Sequence, residues 1–120
     1  MSDKKIVVCD DDTAIVEVIA IVLEEKGYTV FALTNPREVM ATIEREKPDL
    51  VLLDLWMPGI GGDKLARMIR QNAETTDLPV ILISANKNTP QIAEEVEATD
   101  YISKPFDIEE LEQKVESTFS

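Results

Sequence analysis
The 120-residue chain contains no histidine. That removes imidazole metal sites, Ser-His-Asp triads and histidine general bases together. Its single cysteine, Cys9, excludes an intramolecular disulfide and demands no particular compartment. Basic residues are scarce: 12 Lys and Arg stand against 24 Asp and Glu, a net charge of −12. A chain this acidic lacks the basic patch that a nucleic-acid backbone requires, and anionic lipid repels it. No apolar run approaches the ~20 residues of a membrane span, and Asp10, Asp11 and Asp12 interrupt any signal-peptide core. The expectation is a cytoplasmic protein with no direct nucleic-acid or membrane contact. The length suits one domain over residues 1–120, built on one hydrophobic core.

What is present is a regular alternation. Residues 6–9, 29–32, 50–53, 80–83 and 101–103 read as strands. Leu50, Val51, Leu52 and Leu53 show no polar alternation, which predicts burial on both faces, as in a parallel sheet. Over 13–26, Ile15, Val18, Ile19, Val22 and Leu23 form the stripe of an amphipathic helix, and Gly27 supplies its stop. Asn35 reads as an N-cap with Pro36 at the first helical position and Glu38 completing a capping box, for a helix ending near Glu46. Further helices are expected over 63–72 and 89–97, and after an Asp107 cap with Ile108, Leu111 and Val115 facing inward. Val16, Ala20 and Ile21 lie outside the first helix's stripe, a surplus of apolar area suited to docking a partner. The fold expected is α/β: a flavodoxin-like, doubly wound five-stranded parallel sheet of order 2-1-3-4-5 with five helices.

Ligands of open parallel sheets bind beyond the carboxyl ends of the strands. Asp10-Asp11-Asp12, Asp54, Ser84-Ala85 and Lys104-Pro105 fall there. Strands one and three are neighbours in the expected order, so Asp10, Asp11 and Asp54 should converge. Three ionised carboxylates repel one another, and a divalent cation relieves them. Few protein oxygens and several retained waters suit Mg²⁺. With Mg²⁺ and Lys104 the set becomes neutral and able to admit a phosphoryl donor. A carboxylate needs no general base to act as a nucleophile, so aspartyl-phosphate chemistry is open without histidine. Separately, Asp12 reads as a simple helix cap.

These pieces together resemble the receiver (response regulator) family over essentially the whole chain. The matching segments are residues 6–12, Pro48 to Asp54 with Met57-Pro58, Leu78 to Ala85, and Asp100 to Phe106. A chemotaxis receiver is itself an example of the 2-1-3-4-5 order. The resemblance implies that Asp54 is the phosphoacceptor. It implies that Asp11 is a direct Mg²⁺ ligand, Asp10 its acidic neighbour, and the Trp56 backbone carbonyl a further ligand, with Asp54 completing the set. Ser84, the Ala85 amide and Lys104 match the phosphoryl contacts. Ser84 and Tyr101 match the switch pair, and the Lys104–Pro105 bond is expected to be cis. It further implies a sensor histidine kinase or histidine phosphotransfer protein as donor. A downstream partner would be met through the face of the fourth helix, fifth strand and fifth helix. No output domain is expected within these residues, and no enzymatic activity beyond assistance to the chain's own phosphoryl transfer and dephosphorylation.

The chain departs from the family pattern at several points. Only 20 positions separate Ser84 from Lys104, fewer than is common, which implies a short or irregular fourth helix. Ala98-Thr99 stands where Gly-Ala is usual. Gly61-Gly62 replaces Asp-Gly, which is expected to loosen that loop. Trp56 puts a large side chain beside the acceptor, where it would shield a phosphoryl group from water. Three other readings compete. A haloacid-dehalogenase-type phosphatase would need Asp-x-Asp-x-Thr, whereas Asp10-Asp11-Asp12 leads into Thr13-Ala14. A flavodoxin-like flavin binder would need a first loop less acidic than this one. A pseudo-receiver would bind a protein partner without phosphorylation.

Overall fold
The computed structural model describes residues 3–120. Five strands alternate with five helices: β1 (Lys5–Cys9), α1 (Thr13–Glu25), β2 (Thr29–Leu33), α2 (Val39–Glu46), β3 (Leu50–Asp54), α3 (Gly62–Gln71), β4 (Val80–Ser84), α4 (Thr89–Glu95), β5 (Asp100–Ser103) and α5 (Ile108–Phe119). The sheet is parallel throughout, with order β2-β1-β3-β4-β5. Both fold class and strand order are as the sequence predicts. No helix among the described residues is long and apolar enough to cross a membrane.

Strand side chains alternate between two separate apolar layers. Val7, Cys9, Val51, Leu53, Val80 and Leu82 pack on the side that holds Val39, Leu65, Ile69 and Ala93 from α2, α3 and α4. Ile6, Val8, Leu50, Leu52, Ile81 and Ile83 pack against Val16, Ile19, Leu23, Leu111 and Val115 from α1 and α5. All five residues of β3 are buried, as the unbroken apolar run requires.

Local signals set the helix ends. Asp12 caps α1, accepting the Ala14 and Ile15 N–H groups. Gly27 stands at φ 96°, its N–H bonded to the Glu24 carbonyl and that of Tyr28 to the Leu23 carbonyl. This closes α1 with a left-handed residue that glycine adopts without strain. Three expectations need correction. In α1 the buried stripe is Val16, Ile19, Val22 and Leu23, while Val18 is 46% and Ile21 57% exposed. Val16 is therefore core and Ala20 half-buried, and the surplus apolar face is Val18 with Ile21. Ile108 is exposed at the start of α5 rather than inward, although Leu111 and Val115 are buried. Finally, Asn35 accepts the Arg37 N–H, but Pro36–Glu38 forms a 3-10 turn before α2 instead of its first α-turn.

Candidate functional site
The parallel register brings the strand tips together. Cys9 pairs with Leu53 across β1 and β3, so Asp10 and Asp54 leave the sheet side by side. Asp54 pairs with Ile83, and Ser84 with Ser103, which brings Ser84 and Lys104 to the same edge. The Lys104 N–H donates to the Ser84 carbonyl at 2.9 Å, and the Lys104–Pro105 peptide is cis.

Lys104 Nζ donates to Asp10 Oδ2 at 2.8 Å and to Asp54 Oδ1 at 3.1 Å. Asp10 and Asp54 are buried, and Asp11 is exposed. One carboxylate oxygen from each of the three lies within 4.8 Å of the others. Asp10 also accepts the Asp12 N–H at 2.9 Å, which fixes its carboxylate at the head of α1. Burial, and then the charge of Asp10, push the Asp54 carboxyl from 3.8 up to about 6, against the pull of Lys104. At pH 7 it is still ionised by about ten to one. Burial alone would lower the Lys104 ammonium, but its bonds to Asp10 and Asp54 outweigh that and raise it. Three hard oxygen donors in a tight, electronegative pocket fit a small divalent cation, and the carboxylate set leaves room in such an ion's shell for water.

Ser84 is buried at the end of β4, its Oγ accepting the Asn86 N–H at 3.0 Å. Ala85 follows on the exposed turn. Trp56, just past Asp54, is 63% exposed. Tyr101 is half-buried against the α2–α4 layer, with Lys114 Nζ 5.0 Å from its ring centre. Lys114 also bonds Asp100 Oδ1 and the Tyr101 carbonyl, tying β5 to α5. Beneath the pocket, Cys9 is buried with Sγ 3.6 Å from Met57 Sδ. Burial and the nearby carboxylates hold its thiol protonated, pushed up to about 12.

The glycine pair does not act as expected. A Cβ on Gly62 would run into the Asp54 carbonyl oxygen, and one on Gly61 would sit 2.8 Å from that of Leu55. The Gly62 N–H bonds the Leu55 carbonyl at 3.1 Å. The pair lets the start of α3 press against the backbone of Asp54 and Leu55, which pins the loop. The fourth helix is short, as the reduced spacing implied. Thr99, in place of the usual alanine, accepts the Val80 N–H at 3.1 Å. Sequence reasoning missed Gly62's contact, the Lys114 brace and the role of Asn86. Only the turn-forming run Asn86-Lys87-Asn88-Thr89 carried a signal for the last.

A doubly wound parallel α/β domain with carboxylates from two neighbouring strand tips bridged by a lysine from a third is the architecture of a phosphoryl-accepting signalling module. The comparisons with known proteins agree: the response regulator receiver domain model matches residues 6–116, and the chain belongs to that family. It is 40% identical over 113 residues to the phosphate regulon transcriptional regulatory protein PhoB of Pseudomonas aeruginosa, covering 92% of this chain and 49% of that protein. It is 32% identical over 114 residues to the DNA-binding response regulator MtrA of Mycolicibacterium paratuberculosis, covering 93% and 49%. The chain thus spans about half the length of the curated relatives it matches. Among solved structures, the BeF3-activated N-terminal receiver domain of RstA from Klebsiella pneumoniae superposes with a TM-score of 0.85 at 30% identity, covering 96% of this chain and 97% of that one.

Proposed function
We propose that this receiver domain accepts a phosphoryl group on Asp54 from the phosphohistidine of a sensor kinase or phosphotransfer protein. The observation that carries the reading is the lysine-bridged trio Asp10, Asp11 and Asp54. In the transfer, an Asp54 carboxylate oxygen forms the new bond to phosphorus. The phosphorus–nitrogen bond breaks, and its electron pair leaves with the donor's imidazole. Asp10, Asp11, Asp54 and the Trp56 carbonyl would hold Mg²⁺, which when bound supplies positive charge against the incoming phosphoryl oxygens. Lys104 is placed to shift from Asp54 to a phosphoryl oxygen, keeping its bond to Asp10. The Ser84 hydroxyl and the Ala85 amide supply the remaining donors.

The added charge of about −1.5 to −2 favours the arrangement in which Ser84 and Lys104 close on the phosphoryl group. Tyr101 then repacks, and the α4–β5–α5 face changes for a downstream protein. Val18 and Ile21, exposed on α1, and Trp56, exposed just past Asp54, supply apolar area that suits the donor's approach. MtrA is named as DNA-binding, in a protein about twice this length. The net charge of −12 supports a receiver that makes no nucleic-acid contact of its own. It acts as a switch rather than an enzyme on other substrates.

The test is intact-mass analysis after incubation with Mg²⁺ and a small phosphodonor. One phosphoryl adduct is expected, lost in Asp54→Asn and in the presence of chelator. No adduct with any donor would leave a pseudo-receiver.

A further inference from the structure
The two outer strands of the sheet are finished differently. At β5, Lys114 reaches over from α5 and bonds the Tyr101 carbonyl at 2.7 Å. β2 has no such cover. Its Thr29 N–H goes to the Lys4 carbonyl and its Leu33 carbonyl takes the Asp10 N–H, both on the β1 side. Backbone groups alternate along a strand, so the N–H and C=O of Val30 and Ala32 point away from β1. Among the described residues no loop or side chain bonds them. The strand Thr29-Val30-Phe31-Ala32-Leu33 holds neither a charge nor a proline, the usual means of blunting an edge.

Beside this edge runs a hollow of about 350 Å³, lined by Leu33 of β2 and by Arg37, Glu38, Ala41, Thr42 and Arg45 along the flank of α2. Ala41, small and exposed, lies midway between the two arginines. Arg37 is exposed and forms no ion pair among the described residues. Arg45 spends only its Nε, on the Glu46 carboxylate at 2.9 Å, which leaves its two terminal nitrogens. Glu38 is the one carboxylate in the lining, so the groove is positive by one charge in a chain that carries −12. The eight positions from Arg37 to Arg45 rise roughly 12 Å along a helix. Four residues of extended chain cover about 13 Å and return to the same face.

We propose that the β2 edge docks an acidic, extended segment of a partner protein as a sixth strand. Two carboxylates four residues apart would sit on Arg37 and Arg45, with the residue between them over Ala41. The segment's backbone would pair the four free groups of Val30 and Ala32. The pattern reads alike in both chain directions, so parallel and antiparallel addition both satisfy it. A second copy of this chain fits less well. Its own β2 brings no carboxylate to the arginines, and its charge of −12 repels. The inference does not depend on the reading of Asp54.

The probe is a fluorescein-labelled peptide, Thr-Glu-Val-Leu-Val-Glu-Thr, titrated with the whole chain and followed by anisotropy. Binding should weaken about tenfold in Arg37→Glu and in Arg45→Glu, and by a similar factor when both peptide glutamates become lysines. Both arginines are exposed, so the variants should keep the natural rate of adduct formation at Asp54. Amide hydrogen exchange supplies the backbone readout. Peptide should slow exchange at Val30 and Ala32 about tenfold and leave Thr29, already bonded to Lys4, near its former rate. Several outcomes overturn the proposal: no binding at millimolar peptide, equal affinity for the glutamate and lysine peptides, full affinity in both variants, or binding without protection at Val30 and Ala32. So does sedimentation of the peptide-free chain as a dimer with these two amides already protected, which assigns the edge to a second copy.

Discussion
Replacing Asp54 should make this protein more stable. The Asp54 carboxyl is 4% exposed and raised from 3.8 to about 6. The folded state therefore holds the proton more tightly than the unfolded chain does. The sign follows from linkage: this group's contribution is fully present below pH 3.8 and is lost as pH rises through about 6. At roughly 1.36 kcal/mol per pH unit, ionised Asp54 costs the fold about 3 kcal/mol at pH 8. An asparagine side chain is close in shape to aspartate and carries no charge, and Lys104 keeps its partner Asp10. Asp54→Asn should then raise Tm by about 10 °C at pH 8 in chelator, at roughly 4 °C per kcal/mol for a domain this size. At pH 5 the natural carboxyl is mostly protonated, and the gain should fall to about half. Mg²⁺ should narrow the gap at pH 8 by stabilising the natural chain more than the variant. Thermal melts at the two pH values, with and without Mg²⁺, are the assay. A variant that melts at or below the natural chain at pH 8 in chelator would refute the argument that burial and Asp10 dominate over Lys104.

Gly62→Ala should cost about 2–3 kcal/mol, because its Cβ meets backbone that cannot swing aside, and it should also slow phosphorylation of Asp54; urea titration and adduct formation check this. Glu97, exposed just past α4 at φ 59°, should gain about 0.5–1 kcal/mol in urea unfolding when changed to glycine, because the left-handed conformation then carries no Cβ clash. Trp56→Ala should shorten the lifetime of the phosphorylated form, followed by intact mass after donor removal; an unchanged lifetime would show that the side chain does not screen the phosphoryl group from water.

The strands were legible because apolar runs of four or five residues between turn signals have one reading once helices alternate with them, whereas their order came from the flavodoxin-like analogy. The acidic site was legible for a related reason: parallel strands put their carboxyl-end residues at one edge, whatever the details of packing. The phase of α1 was not. Ala14, Ile15 and Val16, then Val18 through Leu23, fill most of the helical circumference, so periodicity alone does not say which edge faces the sheet. The Asp12 cap and the packing of Ile19 and Leu23 decide it, turning Val16 inward and Val18 out. Ile108 matched its helix's inward spacing, yet it sits at the first position of α5, where it remains exposed. The Gly62 contact was hidden because glycine declares what is missing and not what comes close. Arg70 gave no signal either, although its guanidinium bonds the carbonyls of Glu97, Thr76 and Leu78 and fastens the end of α4 to the loop before β4.

The sheet divides the interior into two apolar compartments that share no side chain, one served by α1 and α5 and the other by α2, α3 and α4. Substitutions among the outward residues of α1 disturb neither the strand tips nor the far compartment. Copies of such a chain can diverge on that face while inheriting the same strand tips and the same way of folding.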